Sequence, residues 1–259
     1  MSQFEMDDAI LLVVSGGLSD FIQNTLFSIQ RCGAEGRICI ALPENALAEV
    51  QAAVSRRIKV EYFLLEEICA TDYSWIRDYH DYGSEVFNHF TLARWAAIRF
   101  LLQRGFKRVT YTDVDVAWIR NPIPLLRAVL QVYEVAVQTS AQEKFPPAYC
   151  TGFMSFRNSE FTLATLGELD MVNRDAVKRD PTKKDQAVFN LLVARSHDFE
   201  QKIFALSELL FASGLLAGAI AAKALEGKVN PIIFHANWTI GLANKRRLLR
   251  ETGNWLVDP

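Results

Sequence analysis

Cysteine is scarce in this sequence, and the few cysteines present form no metal-binding or disulfide pattern. The four of them stand at positions 32, 39, 69 and 150, without a C-x-x-C pair. This spacing indicates neither a zinc knuckle nor a disulfide scaffold. Scattered thiols of this kind are typically reduced and mostly buried in cytosolic proteins, so we expect a cytoplasmic location.

The sequence also lacks an excess of charge of either sign. Its formal net charge is −2, with 28 basic and 30 acidic residues. A nearly neutral chain has no general electrostatic attraction to nucleic acid or to anionic lipid. We therefore expect no nucleic-acid partner, and any recognition of phosphate must come from a local arrangement of side chains.

No hydrophobic run in the sequence is long enough to cross a bilayer comfortably. The longest uncharged run, Leu209–Ala222, is short and rich in glycine and alanine, so we expect it to be buried core. Glu5, Asp7 and Asp8 precede the first apolar run, which is the wrong charge order for a secretory signal. We expect no transmembrane segment, which leaves peripheral association as the one kind of membrane contact to consider.

Two nucleotide-binding signatures are missing as well, because the chain contains neither G-x-G-x-x-G nor G-x-x-x-x-G-K. What it has instead is a regular alternation of strand and helix patterns. Continuous apolar runs predict strands that are covered on both faces, as in a parallel α/β sheet. We predict such strands at Ala9–Val14, Arg37–Pro43 and Lys59–Leu64. This order is typical of a doubly wound sheet, whose ligands bind at the carboxyl ends of the strands.

Two carboxylates, Asp113 and Asp115, stand where the apolar stretch Val109–Ile119 would otherwise continue. Residues two apart in an extended segment face the same way, so we expect these carboxylates to converge on one point. Carboxylates that close repel each other unless a cation lies between them. Mg²⁺ and Mn²⁺ prefer oxygen ligands and leave positions open for phosphate, so the pair predicts a metal–diphosphate site. The alternative, an exposed acidic turn, fits poorly with the apolar neighbours.

The segments before this pair carry further polar candidates. One helix is predicted from Asn88 to Gly105, with Arg94 in its first turns and within reach of a diphosphate. The segment Thr71–Ser84 is dense in Asp, Tyr and Trp, a composition that suits either ligand contact or packing on the sheet.

Four candidates in the second half of the chain also have ordinary structural explanations. Gly152 precedes an apolar strand, which indicates either close approach of the backbone to a ligand or a bulge. Asp185 opens a helix, where it acts either as a cap or as a partner for sugar hydroxyls. His235 follows an apolar strand, where a lone histidine is often structural. Lys245 begins a basic run that belongs either to a diphosphate site or to a solvated helix face.

Taken together, these segments resemble a nucleotide-diphosphosugar transferase of the GT-A fold, and glycosyltransferase family seventy-seven in particular. That family includes plant xylosyl- and arabinosyltransferases of cell-wall polymers and a protist galactosyltransferase. The resemblance runs from about residue 87 to the C-terminus and more loosely over the first strands. Six elements in the family's order carry it: Phe87–Thr91, Leu101–Gly105, Tyr111–Trp118, Thr151–Phe153, Asp185–Asn190, and His235–Trp238 ahead of Gly241 and Lys245.

The resemblance implies a single GT-A domain over residues 1–259, an α/β, Rossmann-like three-layer sandwich with a mostly parallel central sheet. Residues 1–120 would form the nucleotide-binding half, and residues 121–259 the half that binds sugar and acceptor. The implied activity is retaining transfer from a UDP-sugar donor to a hydroxyl group of a glycan or glycoconjugate acceptor. We expect acceptor-specific contacts in the segment Thr71–Ser84 and in the loop Gln142–Tyr149. Mn²⁺, or Mg²⁺ in its place, would bridge the protein and the diphosphate. The family's usual membrane anchor and long stem are not found in this sequence.

Carried over residue by residue, the resemblance gives each candidate a role. Asp113, Asp115 and His235 would bind the metal ion. Asp185 and Gln186 would be the catalytic residues. The donor would be bound by Ser15, Gly16, Arg94, Asp113, Gly152, Asn237, Gly241 and Lys245. It stays open whether Asp185 acts as a nucleophile or the acceptor hydroxyl attacks from the leaving-group side.

Two other functions are compatible with the same fold. A nucleotidyltransferase also binds a nucleotide and a metal ion at strand ends, but it should carry a basic, glycine-rich loop after the first strand. The loop Ser15–Asp20 contains no basic residue. Ser15 and Gly16 would either bind a nucleotide base or ribose or simply connect the first strand to the helix that follows. A non-catalytic binding protein of this fold would be indicated by failure to bind metal and UDP.

Overall fold

A computed structural model of the chain describes residues 7–69, 71–141 and 148–257. Most of the predicted acceptor loop Gln142–Tyr149 therefore lies outside the described residues. The strands are β1 (Asp8–Val13), β2 (Arg37–Leu42), β3 (Val60–Leu64), β4 (Arg108–Thr112), β5 (Val116–Trp118), β6 (Val135–Ala141), β7 (Ala148–Arg157), β8 (Ile203–Leu206), β9 (Phe211–Ser213) and β10 (Ile233–His235). The helices are α1 (Ser19–Arg31), α2 (Leu47–Ala53), α3 (Leu65–Ile68), α4 (Glu85–Thr91), α5 (Ala93–Gln103), α6 (Ile123–Val129), α7 (Glu160–Arg179), α8 (Asp185–Arg195), α9 (His197–Gln201), α10 (Ala217–Leu225) and α11 (Leu242–Glu251).

Seven strands form the central sheet, in the order β3-β2-β1-β4-β7-β6-β8. Strand β7 is antiparallel to its neighbours β4 and β6, and the other neighbouring pairs of this sheet are parallel. The mostly parallel sheet predicted from the sequence is thus confirmed. Strands from residues 1–120 and from residues 121–259 belong to this one sheet.

Helices cover both faces of the sheet, which explains the continuous apolar runs. In β1, Ala9 and Leu11 belong to one buried cluster together with residues of α5 and α7. Ile10 and Leu12 belong to a second cluster together with residues of α1 and α6. Since successive side chains of a strand point to opposite faces, a strand buried on both sides needs apolar residues at each position. The arrangement is the predicted three-layer sandwich.

A smaller sheet lies beside the central one and has the order β5-β10-β9. Strand β10 is antiparallel to β5, with His235 opposite Val116, and parallel to β9. The chain passes from the central sheet into the small sheet between Thr112, the last residue of β4, and Val116. Both aspartates of the predicted metal site lie on this crossing.

The prediction of a single helix from Asn88 to Gly105 is wrong, because two helices, α4 and α5, meet at Leu92. Helix α4 begins earlier than predicted, at a cap where Ser84 accepts a hydrogen bond from the backbone of Phe87. At the junction the carbonyl of Thr91 accepts a hydrogen bond from Nε of Arg94, 3.1 Å away. The buried guanidinium group thus competes for a carbonyl of the helix end.

From its composition we expected the run Leu209–Ala222 to be buried core, but it is not buried throughout. Strand β9 within it is buried, but Leu209 and Leu215 are 45% and 54% exposed. The run passes from a strand through a short turn into α10, so it has no single buried face. Within the described ranges, no helix combines the length and the apolarity that crossing a membrane requires.

Candidate active site

A cleft of about 430 Å³ opens at the carboxyl ends of β1 and β4, the edge where doubly wound sheets bind ligands. Its walls include the segment 76–82, the turn after β4, the start of α8 and the connection from β10 to α11. Of the site residues predicted from the sequence, Gly16 and Gly241 do not line the cleft, and the others do.

Asp113 and Asp115 occupy a turn rather than the extended segment that we predicted. Strand β4 ends before Asp113 and β5 begins after Asp115, and the backbone of Val116 donates to the carbonyl of Asp113 at 3.3 Å. The chain must change direction here because β4 and β5 belong to different sheets. The hydroxyl of Thr25 donates to two carbonyls of this crossing, which fixes the turn against α1. The carboxylates still converge, but the turn rather than strand periodicity brings them together.

His235 joins the two aspartates because β10 runs beside β5. Its Nε2 lies 3.3 Å from Oδ1 of Asp115 and 3.9 Å from Oδ2 of Asp113. One ligand atom from each of the three residues lies within 4.8 Å of the other two. The backbone of Ala236 donates to the carbonyl of Asp115 at 2.9 Å, which locks the two segments together. These three side chains could hold a divalent metal ion.

Gln138, which the sequence analysis missed, determines which nitrogen of His235 faces the aspartates. It is fully buried in β6, and its Nε2 donates to the carbonyls of Phe211 and Ala212 at 3.0 and 3.3 Å. Its Oε1 must therefore accept from Nδ1–H of His235, which is 2.8 Å away. This leaves the Nε2 lone pair of the neutral imidazole directed at the aspartates, as a metal ligand requires. The available signal was one amide directly after the three apolar residues that begin β6.

The charges of the cluster also fit a cation. Burial raises the pKa of Asp115, but Lys245 and His235 outweigh burial and hold this pKa far below its usual range. Burial lowers the pKa of His235, yet Asp115 raises it to about 10. A metal ion bound here would displace the imidazolium proton. Two carboxylates and one imidazole are a donor set that suits Mn²⁺ and other divalent ions of that kind.

Gly152 lies where the backbone of β7 passes closest to the proposed metal ligands. A Cβ at this position would collide with the ring of His235 and would lie 2.6 Å from Oδ2 of Asp113. The carbonyl of Gly152 accepts a hydrogen bond from the backbone of Asp113 at 2.8 Å. The glycine thus makes room for two side chains of the site.

Arg94 lies buried between two acidic residues of the cleft. Its Nε is 3.4 Å from Oδ2 of Asp185, and its Nη2 is 3.8 Å from Oδ1 of Asp113. Its Nη1 donates to the carbonyl of Thr151 at 2.8 Å, and its guanidinium carbon lies 4.8 Å from the centre of the Tyr111 ring. The hydroxyl of Tyr111 donates to Asp113, a contact that the sequence did not predict. Arg94 therefore links Asp185, at the start of α8, to the aspartate turn.

Asp185 is the first residue of α8 and not its cap, because Lys184 occupies the N-cap position. Its carboxylate accepts a hydrogen bond from the hydroxyl of Thr151 at 3.3 Å. Burial raises the pKa of Asp185 and Asp113 raises it further, while Arg94 opposes the rise. Oε1 of Gln186 accepts a hydrogen bond from the backbone of Thr151 at 3.4 Å. Both predicted catalytic residues thus face the same stretch of β7.

Three predicted donor-binding residues lie between β10 and the first turn of α11. Nζ of Lys245 lies 2.6 Å from Oδ2 of Asp115, so this lysine stands at the edge of the metal cluster. Asn237 lines the cleft, and its Oδ1 accepts from the backbone of Gly214 at 2.8 Å. Gly241 is the N-cap of α11 and has a φ of 85°, a conformation that favours glycine.

The turn after β1 is tied to two other parts of the chain. Ser15 lines the cleft, whereas Gly16 is buried beneath the backbone of Arg77. Glu49 accepts hydrogen bonds from the backbone of Gly17 at 2.9 Å and from a serine hydroxyl of α1 at 2.8 Å. The turn is therefore held in place from α2, and the segment after β3 covers it.

The segment Thr71–Ser84, whose composition suits ligand contact or packing on the sheet, has residues in the core and residues in the cleft wall. Tyr73 and Ile76 are 1% exposed and belong to the hydrophobic core. Tyr79, His80 and Tyr82 line the cleft. The segment is thus packed on the sheet at one end and forms a wall of the cleft at the other.

Comparison with known families and relatives gives consistent results. A family model described as nucleotide-diphospho-sugar transferase matches residues 51–249. A UDP-D-xylose:L-fucose alpha-1,3-D-xylosyltransferase of Arabidopsis thaliana is 26% identical over 195 residues, which cover 69% of this chain and 52% of the relative. A second xylosyltransferase of the same plant, MGP4, is 23% identical over 192 residues, covering 69% and 53%. The chain spans about half the length of these curated relatives.

Solved structures show the same fold. The galactosyltransferase LgtC, in complex with donor and acceptor sugar analogues, matches with a TM-score of 0.61 and 14% identity over 97% of both chains. Mouse xyloside xylosyltransferase 1 matches with a TM-score of 0.56 and 10% identity, covering 90% of this chain and 98% of the other. The predicted GT-A fold is thus confirmed.

Proposed function

The chain belongs to the nucleotide-diphospho-sugar transferase family, and on this premise we propose that it transfers a sugar from a UDP-sugar to a hydroxyl group of a glycan or glycoconjugate. We propose further that transfer is retaining and depends on Mn²⁺, or on Mg²⁺ in its place. The observation that carries the proposal is the cluster of Asp113, Asp115 and His235 in the cleft, with Nε2 of the histidine directed at the carboxylates.

The cluster lies where it would stabilise the negative charge of the leaving group. Breaking the bond between the sugar and the diphosphate develops negative charge on the diphosphate oxygens. A divalent ion held by the cluster would stabilise that charge more in the transition state than in the ground state. Lys245 adjoins the cluster at Asp115, so its ammonium group would contact the same diphosphate. The turn at Ser15 would bind the nucleoside, since it lies at the end of β1 in the same cleft.

The sugar would lie at the end of the cleft that contains Asp185 and Gln186. Contacts with Thr151 and Arg94 hold the carboxylate of Asp185 in one orientation. A carboxylate held in this way would orient the donor sugar by accepting hydrogen bonds from the hydroxyl groups of the sugar. Gln186 would contact the same sugar from the adjoining position. The mixed set of two carboxylates and one imidazole favours Mn²⁺ over Mg²⁺, which binds nitrogen ligands less readily.

The relatives suggest which donor to test first. Both Arabidopsis enzymes are described as acting with UDP-D-xylose and L-fucose, so UDP-xylose heads a panel with UDP-galactose, UDP-glucose and UDP-arabinose. Calorimetric titration with UDP, in the presence of Mn²⁺ and after chelation of the metal, tests the nucleotide site. Slow hydrolysis of each UDP-sugar in the same samples identifies the donor. Absence of UDP binding in both conditions would refute the proposal.

Asp115→Ala tests the metal assignment. We expect loss of transfer and hydrolysis in a folded protein, because one of the two carboxylates of the cluster is removed. Asp198→Ala is a matched control, since this carboxylate is 69% exposed and lies on α9, outside the cleft. Unchanged turnover of the Asp115→Ala variant would show that the aspartate pair does not bind a catalytic metal ion.

A further inference from the structure

Trp238 has a backbone conformation that is unfavourable for a bulky side chain. Among the described residues it is the one residue other than glycine with a positive φ, at 60°. Such outliers persist where the surrounding structure imposes them, and they concentrate at binding sites. Trp238 lines the cleft, three residues after the proposed metal ligand His235.

The neighbours of Trp238 impose this conformation. Asn237 is anchored on both sides, because Oδ1 accepts from the backbone of Gly214 at 2.8 Å and Nδ2 donates to Sγ of Cys150 at 3.5 Å. On the other side, Gly241 caps α11 with a φ of 85°. The short segment between β10 and α11 is therefore fixed at both ends, and its middle presents the indole ring at the cleft.

The ring of Trp238 does not contribute to the hydrophobic core. It is 61% exposed, whereas Trp95 and Trp118 are fully buried. Trp255 packs against Phe21. Within the part of the chain that the structure describes, Trp238 has no aromatic or cationic partner. A large apolar ring that is both exposed and held in an unfavourable conformation has no packing role to explain it, so a ligand is the physical explanation that remains.

The chemistry of the cleft limits what this ligand can be. The carboxylates and cations that form the floor of the cleft suit the metal ion and the diphosphate. The ligand that packs on the indole ring must instead present an apolar surface. Ile240 is also 61% exposed and lines the cleft, so the two side chains form an apolar part of its wall. A pyranose ring presents a flat face of C–H groups, which packs well on an aromatic ring whose edge remains in water. Building on the proposed function, we propose that Trp238 is the platform on which a pyranose ring of the acceptor stacks.

The experiment measures binding of small glycosides separately from binding of the nucleotide. Methyl glycosides of L-fucose, xylose, galactose and glucose are titrated into the protein in the presence of UDP and Mn²⁺, with saturation-transfer NMR as the readout. For the glycoside that wild type binds best, we expect about tenfold weaker binding by Trp238→Gly, in line with the loss of one aromatic stacking contact. Met171→Ala is the control, because Met171 is 60% exposed, lies on α7 and does not line the cleft.

The outcomes separate this proposal from the proposed function. A fall in glycoside affinity relative to UDP affinity, in Trp238→Gly but not in Met171→Ala, supports the platform. An equal loss for UDP would place the ring against the nucleotide and overturn it, as would UDP binding by wild type with no affinity for any glycoside. Failure of wild type to bind UDP refutes the proposed function and this inference together.

Stability provides a further check on the same variants. Glycine adopts a positive φ without strain, so Trp238→Gly should have a melting temperature close to that of wild type. A marked fall in melting temperature, parallel to the loss of glycoside binding, would show that the ring supports the fold and would overturn the proposal.

Discussion

Gln138 is not itself one of the proposed metal ligands, yet its replacement by leucine should weaken metal binding. In the structure Oε1 of Gln138 accepts the Nδ1–H bond of His235 at 2.8 Å, inside the protein and away from solvent. Leucine fills a similar volume but offers no acceptor. The next polar atom near Nδ1 is Sγ of Cys150 at 3.8 Å, which is a weak acceptor. The ring of His235 then loses the contact that keeps its Nε2 lone pair directed at Asp113 and Asp115.

The size of the effect follows from this geometry. Removing a hydrogen-bond partner behind a metal-binding histidine typically costs about 10–100-fold in metal affinity, or about 1.4–2.7 kcal/mol. The buried N–H group left without a partner should also lower the free energy of unfolding by about 1–3 kcal/mol. For a chain of this size, a loss of about 2 kcal/mol lowers the melting temperature by about 4–8 °C. Binding measurements at 20 °C would thus still be made on folded protein.

Two further variants separate metal affinity from stability. Gln138→Glu keeps an acceptor for Nδ1–H but loses the donors to the carbonyls of Phe211 and Ala212, so it should destabilise the fold yet retain metal affinity. Gln103→Leu, on the exposed side of α5, should change neither. Calorimetric titration with Mn²⁺ in the presence of UDP provides the readout. Wild-type affinity in Gln138→Leu, or equal losses in the leucine and glutamate variants, would refute the reasoning.

Two other substitutions test the site and the fold. Gly152→Ala should abolish Mn²⁺ binding without unfolding the protein, because the new Cβ would collide with His235 and crowd Asp113; a folded variant that binds Mn²⁺ normally would contradict this. Glu134→Gln should lower the free energy of unfolding by about 1–2 kcal/mol at pH 7, because Glu134 accepts hydrogen bonds from Arg157 and two hydroxyl groups. Burial alone raises the pKa of Glu134, but these contacts hold it below its usual value of 4.5. The stabilisation is therefore present above pH 4.5 and lost as the pH falls through the folded-state pKa, and equal differences in urea unfolding at pH 3 and pH 7 would count against this.

The fold was predictable because its signal is local. After Asp8, the residues of β1 had to be apolar once both faces of the sheet were covered, and the run at positions 9–14 shows this without knowledge of its neighbours. The convergence of Asp113 and Asp115 was also predicted, although for the wrong reason. Strand periodicity and a tight turn both bring residues two apart close together, so the prediction of proximity survived the error about conformation.

The supporting contacts were not predictable because they join distant segments. Gln138 and His235 are 97 positions apart, and they meet only because β6 of the central sheet adjoins β9, which pairs with β10 in the small sheet. No spacing rule connects them. The break at Leu92 has a similar origin, since the carbonyl of Thr91 is diverted to Arg94 by the burial of that guanidinium group. In both cases tertiary contacts, rather than local propensity, determine the structure.

The crossing between the two sheets explains how the chain tolerates so much charge at one point. Backbone hydrogen bonds hold the aspartate turn from both sides, from Asp113 to Gly152 at 2.8 Å and from Ala236 to Asp115 at 2.9 Å. The backbone of the turn is thus set by the strands that flank it, while Lys245 and His235 contact the carboxylate of Asp115. A site held in this way is organised before the metal and the donor bind, so less binding free energy is lost in ordering it. Substitution of a ligand such as Asp115 should consequently remove metal binding while the backbone of the turn stays in place, which is the separation that the proposed experiments require.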